Sequence, residues 1–154
     1  MVAQIYDNEG KTVKTIFVKP HEIEKKWYII DADGKTLGDV AVKAARLLRG
    51  KDKPEYATHF DNGDYVIVIN AAKAKLSRDK ENTKIYYHHS GYVGGLRKES
   101  YSTLLDRKPT MPMEKAIKGM LPKGPLGRQL FRNLRVYADD KHLQTAQKPI
   151  VCNF

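Results

Sequence analysis

Two apolar segments and a helical pattern between them organise the first half of the chain. Residues 27–32 predict a strand, and residues 64–70 predict a second one, apolar without alternation, as expected for a strand covered on both faces. From Thr36 to Arg49 apolar residues recur at helical spacing, with Thr36 as N-cap and Gly50 as the stop. This order of elements predicts a right-handed parallel crossover, the unit of an α/β domain.

The second half of the chain predicts shorter elements. They are a strand at 84–89, a glycine-rich loop at 91–95, helices at 102–106, 113–121 and 125–134, and a strand at 135–138. No period is detectable in residues 139–154. The pattern therefore predicts one α/β domain over residues 21–138, between an extended N-terminal arm (residues 1–20) and a C-terminal tail (residues 139–154).

The helix predicted over residues 125–134 divides most clearly into two faces. At about 100° per residue, its leucines and Phe131 fall on one side and three arginines fall on the other. The arginines are Arg128, Arg132 and Arg135. Pro125 suits the first helical position and Gly124 can cap it, so the exposed N–H groups of the first turn are also available to an anion.

The preceding helix repeats this division. Its apolar residues face one way, whereas Lys115 and Lys118 face the other, and Lys123 lies in the proline-stiffened joint before the next helix. No acidic residue occurs between positions 115 and 138. A solvated helix usually interleaves acids with its bases, so these helices predict an anion-binding surface rather than an ordinary solvated one.

Charge supports the same interpretation. The 154 residues carry a net charge of +10, with an isoelectric point near 9.6, which favours polyanionic partners. Between Arg107 and Arg135 there are eight basic residues and one acid, Glu114. Because an arginine fork can hold a phosphate through two hydrogen bonds, nucleic acid is the expected partner.

Two further segments carry candidate contacts. In residues 86–98, aromatic rings next to glycines and bases can stack on nucleobases, which makes Tyr92, Arg97 and Lys98 candidates. The alternative is that Ile85, Tyr87 and His89 are strand residues packed on one face. In the basic loop after the first helix, helix-dipole compensation explains Arg49 but leaves Lys51 and Lys53 available for an anion.

Enzyme-like motifs in the chain are incomplete. Gly34-Lys35-Thr36 suggests a phosphate loop, but Ile29 stands where that motif needs glycine. His88 and His89 point to opposite faces of a strand, and residues 61–64 are typical of a tight turn. Residues 91–94 match the G-x-x-G sequence of a KH loop, but that loop joins two helices, whereas this segment follows a predicted strand. The chain has one cysteine, no long apolar span and no secretory signal pattern, so we predict no metal site, no membrane contact and no cofactor.

The chain resembles the universal large-subunit ribosomal protein L13 family in its bacterial form. The most specific match is Ile-Lys-Gly-Met-Leu-Pro-Lys-Gly-Pro-Leu-Gly-Arg at 117–128, which continues through residues 134–138. Supporting matches include residues 26–28 with 30–32, 34–38, 48–51, 63–71, and 89–92 with 94–95. The resemblance implies a three-layer α/β/α domain on a four-stranded parallel sheet. It also implies binding to 23S rRNA beside neighbouring large-subunit proteins, a part in early subunit assembly, no catalysis and no small-molecule substrate.

Together, the residue patterns and the resemblance predict fourteen RNA contacts and a place in the cytoplasmic ribosome, with an organellar ribosome as the other option. The predicted contacts are Lys35, Arg49, Lys51, Lys53, His89, Tyr92, Arg97, Lys98, Lys115, Lys118, Lys123, Arg128, Arg132 and Arg135. Two alternatives stay open at this point. One is a nucleotide-using enzyme centred on Lys35 and Thr36, and the other is an RNA-binding regulator that acts off the ribosome.

Overall fold

The predicted strand–helix–strand crossover forms the centre of the fold. In the computed structural model, β3 spans Trp27–Asp31, α1 spans Leu37–Leu48 and β4 spans Tyr65–Ile69. The two strands pair in parallel, as expected. The side chain of Thr36 accepts a hydrogen bond from the Asp39 N–H at 3.2 Å, so the predicted N-cap is confirmed.

The structure describes residues 23–152, together with the backbone of two short N-terminal strands. These are β1 (Ile5–Tyr6) and β2 (Thr12–Val13), which pair antiparallel. Apart from these strands, the predicted N-terminal arm lies outside the described residues.

Two more strands complete the central sheet. β7 (Leu134–Val136) pairs with β4, and β8 (Ile150–Val151) pairs with β3, so that the order is β7-β4-β3-β8 with every pairing parallel. The α/β class and the four-stranded parallel sheet are therefore confirmed, and the helices are consistent with a three-layer α/β/α domain. β8 lies in residues 139–154, where two strand residues are too few to produce a detectable period.

The core lies between the sheet and three helices, α1, α4 (Met111–Met120) and α5 (Pro125–Arg132). The predicted apolar face of α1 is buried, and α1 packs closely against α4. Among the helical residues predicted to face inward, Met120 is the exception, because it is 41% exposed at the end of α4.

The prediction for the end of α5 is wrong by two residues. The helix ends at Arg132, and Leu134 and Arg135 belong to β7. The N–H of Val66 on β4 bonds to the Asn133 carbonyl at 3.1 Å, which starts sheet pairing directly after the helix. Leu134 points inward under both the helical and the strand period, so its apolar character did not reveal the change.

A separate two-stranded hairpin lies outside the central sheet. β5 (Ile85–His89), predicted as a strand, pairs antiparallel with β6 (Leu96–Ser100), which the sequence pattern did not predict. Two helices flank the hairpin in the chain: α2 (Lys80–Thr83), not predicted, and α3 (Tyr101–Arg107), which extends the predicted helix by one residue at each end. The sequence signal that could have located β6 is the glycine-containing loop after β5, since such loops commonly join the two strands of a hairpin.

Candidate nucleic-acid interface

A groove lined by four cationic side chains lies between the end of α4 and the exposed side of α5. It encloses about 450 Å³. Its cations, which define what we call the cationic groove, are Lys118, Lys123, Arg128 and Arg132. Half-buried Phe131, Pro122 and the backbone of Gly124 and Gly127 complete the lining. The two predicted basic helices therefore contribute to one concave surface.

Burial of one side of α5 fixes the direction of its arginines. Leu130 is 2% exposed, whereas Arg128 and Arg132, one turn apart, lie on the exposed side. Gly127 is buried against the Pro122 carbonyl, and this close approach holds the start of the helix on the joint that follows α4. The two arginines are thus presented side by side by a helix anchored at both ends.

The cations of the groove have no ion-pair partners within residues 23–152. The ion pairs found in that part of the chain involve other basic residues. Among the described residues, one of the four also contacts an aromatic ring: the Nζ of Lys118 lies 5.7 Å from the Phe131 ring centroid. Four positive charges that form no ion pair among the described residues attract an anion that brings its own charge.

Arg135 lies beside this groove rather than within it. Its Nη1 donates to the carbonyls of Arg132 and Leu134 at 2.8 and 3.0 Å, and so satisfies carbonyl groups at the end of α5. The side chain also lines a neighbouring depression with Arg132 and Glu114. One nitrogen of Arg135 is therefore engaged internally, while the residue stays exposed on β7.

A second basic groove, of about 550 Å³, lies where α1 and α4 end. Arg46, Arg49 and Lys51 line it over Val42 and Met120. Arg49 donates to the Tyr56 hydroxyl at 2.7 Å, and Arg46 pairs with Asp52 at 2.6 Å. Arg46, about one helical turn before Arg49 on α1, is not among the contacts predicted from the sequence.

Lys53, two residues beyond Lys51, has an internal role. Its Nζ lies 2.7 Å from the buried Asp64 carboxylate and donates to the Glu24 carbonyl at 3.0 Å. Its side chain is 20% exposed. Lys53 therefore tethers this loop to the start of β4, and Lys51 is the more accessible lysine of the loop.

The hairpin carries the predicted contacts of residues 86–98. Tyr92 is 80% exposed at its tip, and His89, Arg97 and Lys98 are exposed on its strands. Tyr87 is 58% exposed, so the packing alternative for that side chain is wrong. The register places His88 opposite Arg97, and the alternation of the strand confirms that the two adjacent histidines point to opposite faces.

Lys115 contacts the base of the hairpin. Its Nζ lies 4.8 Å from the centroid of the Tyr86 ring, and Lys115 does not line the cationic groove. Burial, and to a smaller extent Tyr101, raise the pKa of Tyr86. Burial, followed by Glu81, raises the pKa of Tyr101 as well. The contact between Lys115 and Tyr86 is a cation–π interaction with the face of the ring.

Lys35 lies at the carboxyl end of β3, in a different setting. The pKa of Asp31 is lowered mainly by the hydrogen bond from the Asn70 amide, then by the Asp33 N–H, with smaller contributions from Lys35 and Lys73. The Lys35 carbonyl accepts from the Lys75 N–H at 2.8 Å. The Thr36 hydroxyl is used as the α1 cap, so this turn lacks the free groups that a triphosphate loop needs.

The acidic residues of the segment before β4 have structural partners. Asp61 accepts from Lys25 Nζ at 2.6 Å and from the Asn133 amide at 2.9 Å. Asp64 accepts from the Lys26 N–H at 2.9 Å as well as from Lys53. Both carboxylates are 4% exposed, so they tie β3, β4 and β7 together at one edge of the sheet. The two acids are therefore used structurally, but the tight turn predicted at residues 61–64 is not formed there.

We expect Asp64→Ala to lower the free energy of unfolding by about 2 kcal/mol, because it leaves a mostly buried lysine and an N–H without their acceptor. For a chain of this length, the melting temperature falls by roughly 4–8 °C. Asp52→Ala is the control, since it removes the exposed partner of Arg46 and is expected to cost less than about 1 kcal/mol. Thermal denaturation of both variants measures the difference, and equal losses would show that the buried pair has no special weight.

Two other kinds of site were sought in the part of the chain that the structure describes. No group of three or more histidine, cysteine, aspartate or glutamate side chains is arranged to hold a metal ion there. None of the helices in that part is both long and apolar enough to cross a bilayer.

Comparison with known proteins identifies close relatives. The family model described as Ribosomal protein L13 matches residues 25–143. A protein of Borrelia hermsii, named Large ribosomal subunit protein uL13, is 58% identical over 134 residues, covering 87% of this chain and 90% of its own length. The protein of that name from Methylococcus capsulatus is 51% identical over 137 residues, covering 89% and 96% respectively. Both matches include the cationic helices and the hairpin, because each spans most of the chain.

Proposed function

The chain belongs to the ribosomal protein L13 family, and on that premise we propose that it binds 23S rRNA through the cationic groove. Members of this family are structural, non-enzymatic constituents of the large ribosomal subunit. The observation that carries the proposal is the convergence of Lys118, Lys123, Arg128 and Arg132 on one concave surface without internal ion pairs among the described residues.

The chemistry of the groove suits backbone phosphates. Each guanidinium can hold a phosphate through two parallel hydrogen bonds, and the lysines add point charges at the rim. The first turn of α5, at Pro125, directs its unpaired N–H groups toward the same region, since Gly124 and Lys123 line the groove. Contacts of this kind fix a protein on RNA without reading sequence.

Further contacts come from the surfaces around the groove. Arg49 and Lys51, joined by Arg46, present a second basic surface, and Arg135 extends the first. The hairpin supplies four further RNA contacts, from His89, Tyr92, Arg97 and Lys98. Lys35, at the carboxyl end of β3, and Lys115, at the base of the hairpin, add contacts outside the groove. The side chain of Lys53 is instead held by Asp64.

The subunit role implies other partners. Exposed Leu143, Ile150 and Val151, at and before the sheet edge formed by β8, offer an apolar contact to neighbouring large-subunit proteins. The relatives from Borrelia hermsii and Methylococcus capsulatus are bacterial, which favours the cytoplasmic ribosome as the location. Anchoring through phosphates before other proteins arrive is compatible with a part in early assembly.

Binding to large-subunit RNA is expected to fall steeply with salt, because each phosphate contact releases counterions. Four groove contacts contribute a slope of about −3 to a plot of log affinity against log salt concentration. The change to test is alanine at all four groove positions, which should reduce the slope by about 3. Filter binding with an RNA fragment across a salt series measures the slope for the unaltered protein and for the four-alanine variant. Salt-independent binding by the unaltered protein would contradict the proposal.

Sedimentation separates this function from that of an off-ribosome regulator. A constituent of the large subunit travels with that subunit through a sucrose gradient, whereas a regulator stays in the light fractions. Calorimetry with ATP and magnesium addresses the enzyme alternative, for which we expect no binding because Thr36 is committed to capping α1.

A further inference from the structure

The hairpin exposes apolar side chains on one face. Alternation along β5 and β6, together with their register, places six residues on this face. Ser100, at its base, caps α3, and we call the other five the outer hairpin face. They are Ile85, Tyr87, His89, Leu96 and Lys98. Ile85, Tyr87 and Leu96 are 47%, 58% and 53% exposed, and the tip adds Tyr92 at 80% and Val93 at 107%. Exposed apolar side chains clustered in this way mark an interaction site.

The opposite face attaches the hairpin to the domain. Tyr86 lies under the Lys115 ammonium, and Glu99 accepts two hydrogen bonds from Arg107 on α3, at 3.0 and 2.7 Å. The Tyr101 N–H bonds to the Lys84 carbonyl at 3.0 Å. These contacts fix the base of the hairpin and leave the outer face directed away from its attachments.

Charge selects the kind of partner. Residues 85–98 contain Arg97, Lys98 and two histidines but no aspartate or glutamate. The Nζ of Lys98 lies 5.9 Å from the Tyr87 ring centroid, so a cation borders an accessible aromatic ring. A polyanion with flat apolar groups complements this combination, and single-stranded RNA with unstacked bases is such a molecule. An apolar protein surface would cover the apolar side chains of this face but would leave Arg97 and Lys98 without a counter-charge.

We propose, resting on the proposed function, that the outer hairpin face and the tip bind unpaired RNA bases, with Tyr87 and Tyr92 as stacking platforms. The cationic groove then holds backbone phosphates, so the two surfaces recognise different chemical parts of the same polymer. The loop geometry allows a close approach, because Gly91 and Gly94 have φ of +94° and +73° with open space where a side chain would be.

Oligonucleotides with and without bases test whether the hairpin binds bases while the cationic groove binds phosphates. The probes are a single-stranded oligoadenosine and an abasic oligomer with the same number of phosphates, bound to the full chain at fixed salt. Tyr87→Ala with Tyr92→Ala is expected to weaken binding of the oligoadenosine about tenfold or more, because base–aromatic stacking is lost. Binding of the abasic oligomer should change by less than about twofold. Tyr87→Phe with Tyr92→Phe keeps the rings and should bind the oligoadenosine as the unaltered protein does.

Two results would overturn the inference. Unchanged oligoadenosine binding by the alanine variant would mean that the face serves another partner, such as a neighbouring protein. Equal loss for both oligomers would mean that the hairpin contributes charge rather than stacking. Arg128→Ala combined with Arg132→Ala tests the proposed function separately, because this variant should weaken the binding of both oligomers to the same extent. If that pair has no effect while the tyrosines do, the groove proposal fails and the hairpin proposal stands.

Discussion

Arg128→Glu combined with Arg132→Glu is expected to lower the affinity for large-subunit rRNA by at least about 100-fold. Each arginine offers a charge-assisted contact worth about 1.5–3 kcal/mol, and glutamate adds repulsion to the loss. Both side chains are exposed and form no ion pair within residues 23–152, so the fold should tolerate the change. Filter binding at about 0.1 M salt measures affinity, and thermal denaturation should show a melting temperature within about 2 °C of the starting protein.

The matched control is Lys73→Glu combined with Lys141→Glu. This pair produces the same change in net charge but lies in a groove that also contains Asp139 and Asp140. We expect its effect on affinity to be less than about fivefold, because long-range charge alone is largely screened at this salt concentration. Equal losses in the two variants would show that net charge, and not the cationic groove, governs binding. Unfolding of the arginine variant would show instead that those side chains support the core.

The sequence predicted the central fold because its strongest patterns are local. The helical period from Leu37 to Leu48 and the unbroken apolar run of β4 each report which faces are buried, and burial fixes both elements. The amphipathic division of α5 worked for the same reason. Its inward residues and its outward Arg128 and Arg132 follow from one angle per residue.

What the sequence did not predict depends on distant partners. β8 has two residues and exists because β3 offers an edge to pair with. Lys51 and Lys53 are two positions apart in one loop, yet Asp64 engages only the second, through a contact between segments. Spacing along the chain therefore identified the cations but not which of them the fold itself uses.

The joint before α5 shows how a glycine controls the groove. Pro122 and Pro125 restrict the backbone φ of this joint. Gly124 has a φ of +114°, a value that residues with a side chain rarely adopt. The helix then approaches so closely that a Cβ on Gly127 would overlap the Pro122 carbonyl oxygen. A joint stiffened in this way has little freedom to relax around an added methyl group.

Gly127→Ala is therefore expected to lower the free energy of unfolding by about 3 kcal/mol, or roughly 6–12 °C in melting temperature. Gly119→Ala is the control, since a Cβ there meets nothing within 4 Å on α4. That change should stabilise the protein by about 0.5–1 kcal/mol, because alanine is the better helix former. Thermal and urea denaturation of both variants measure the contrast. If Gly127→Ala melts at the same temperature as the starting protein, α5 does not lie against Pro122, and the geometry derived for the cationic groove is wrong.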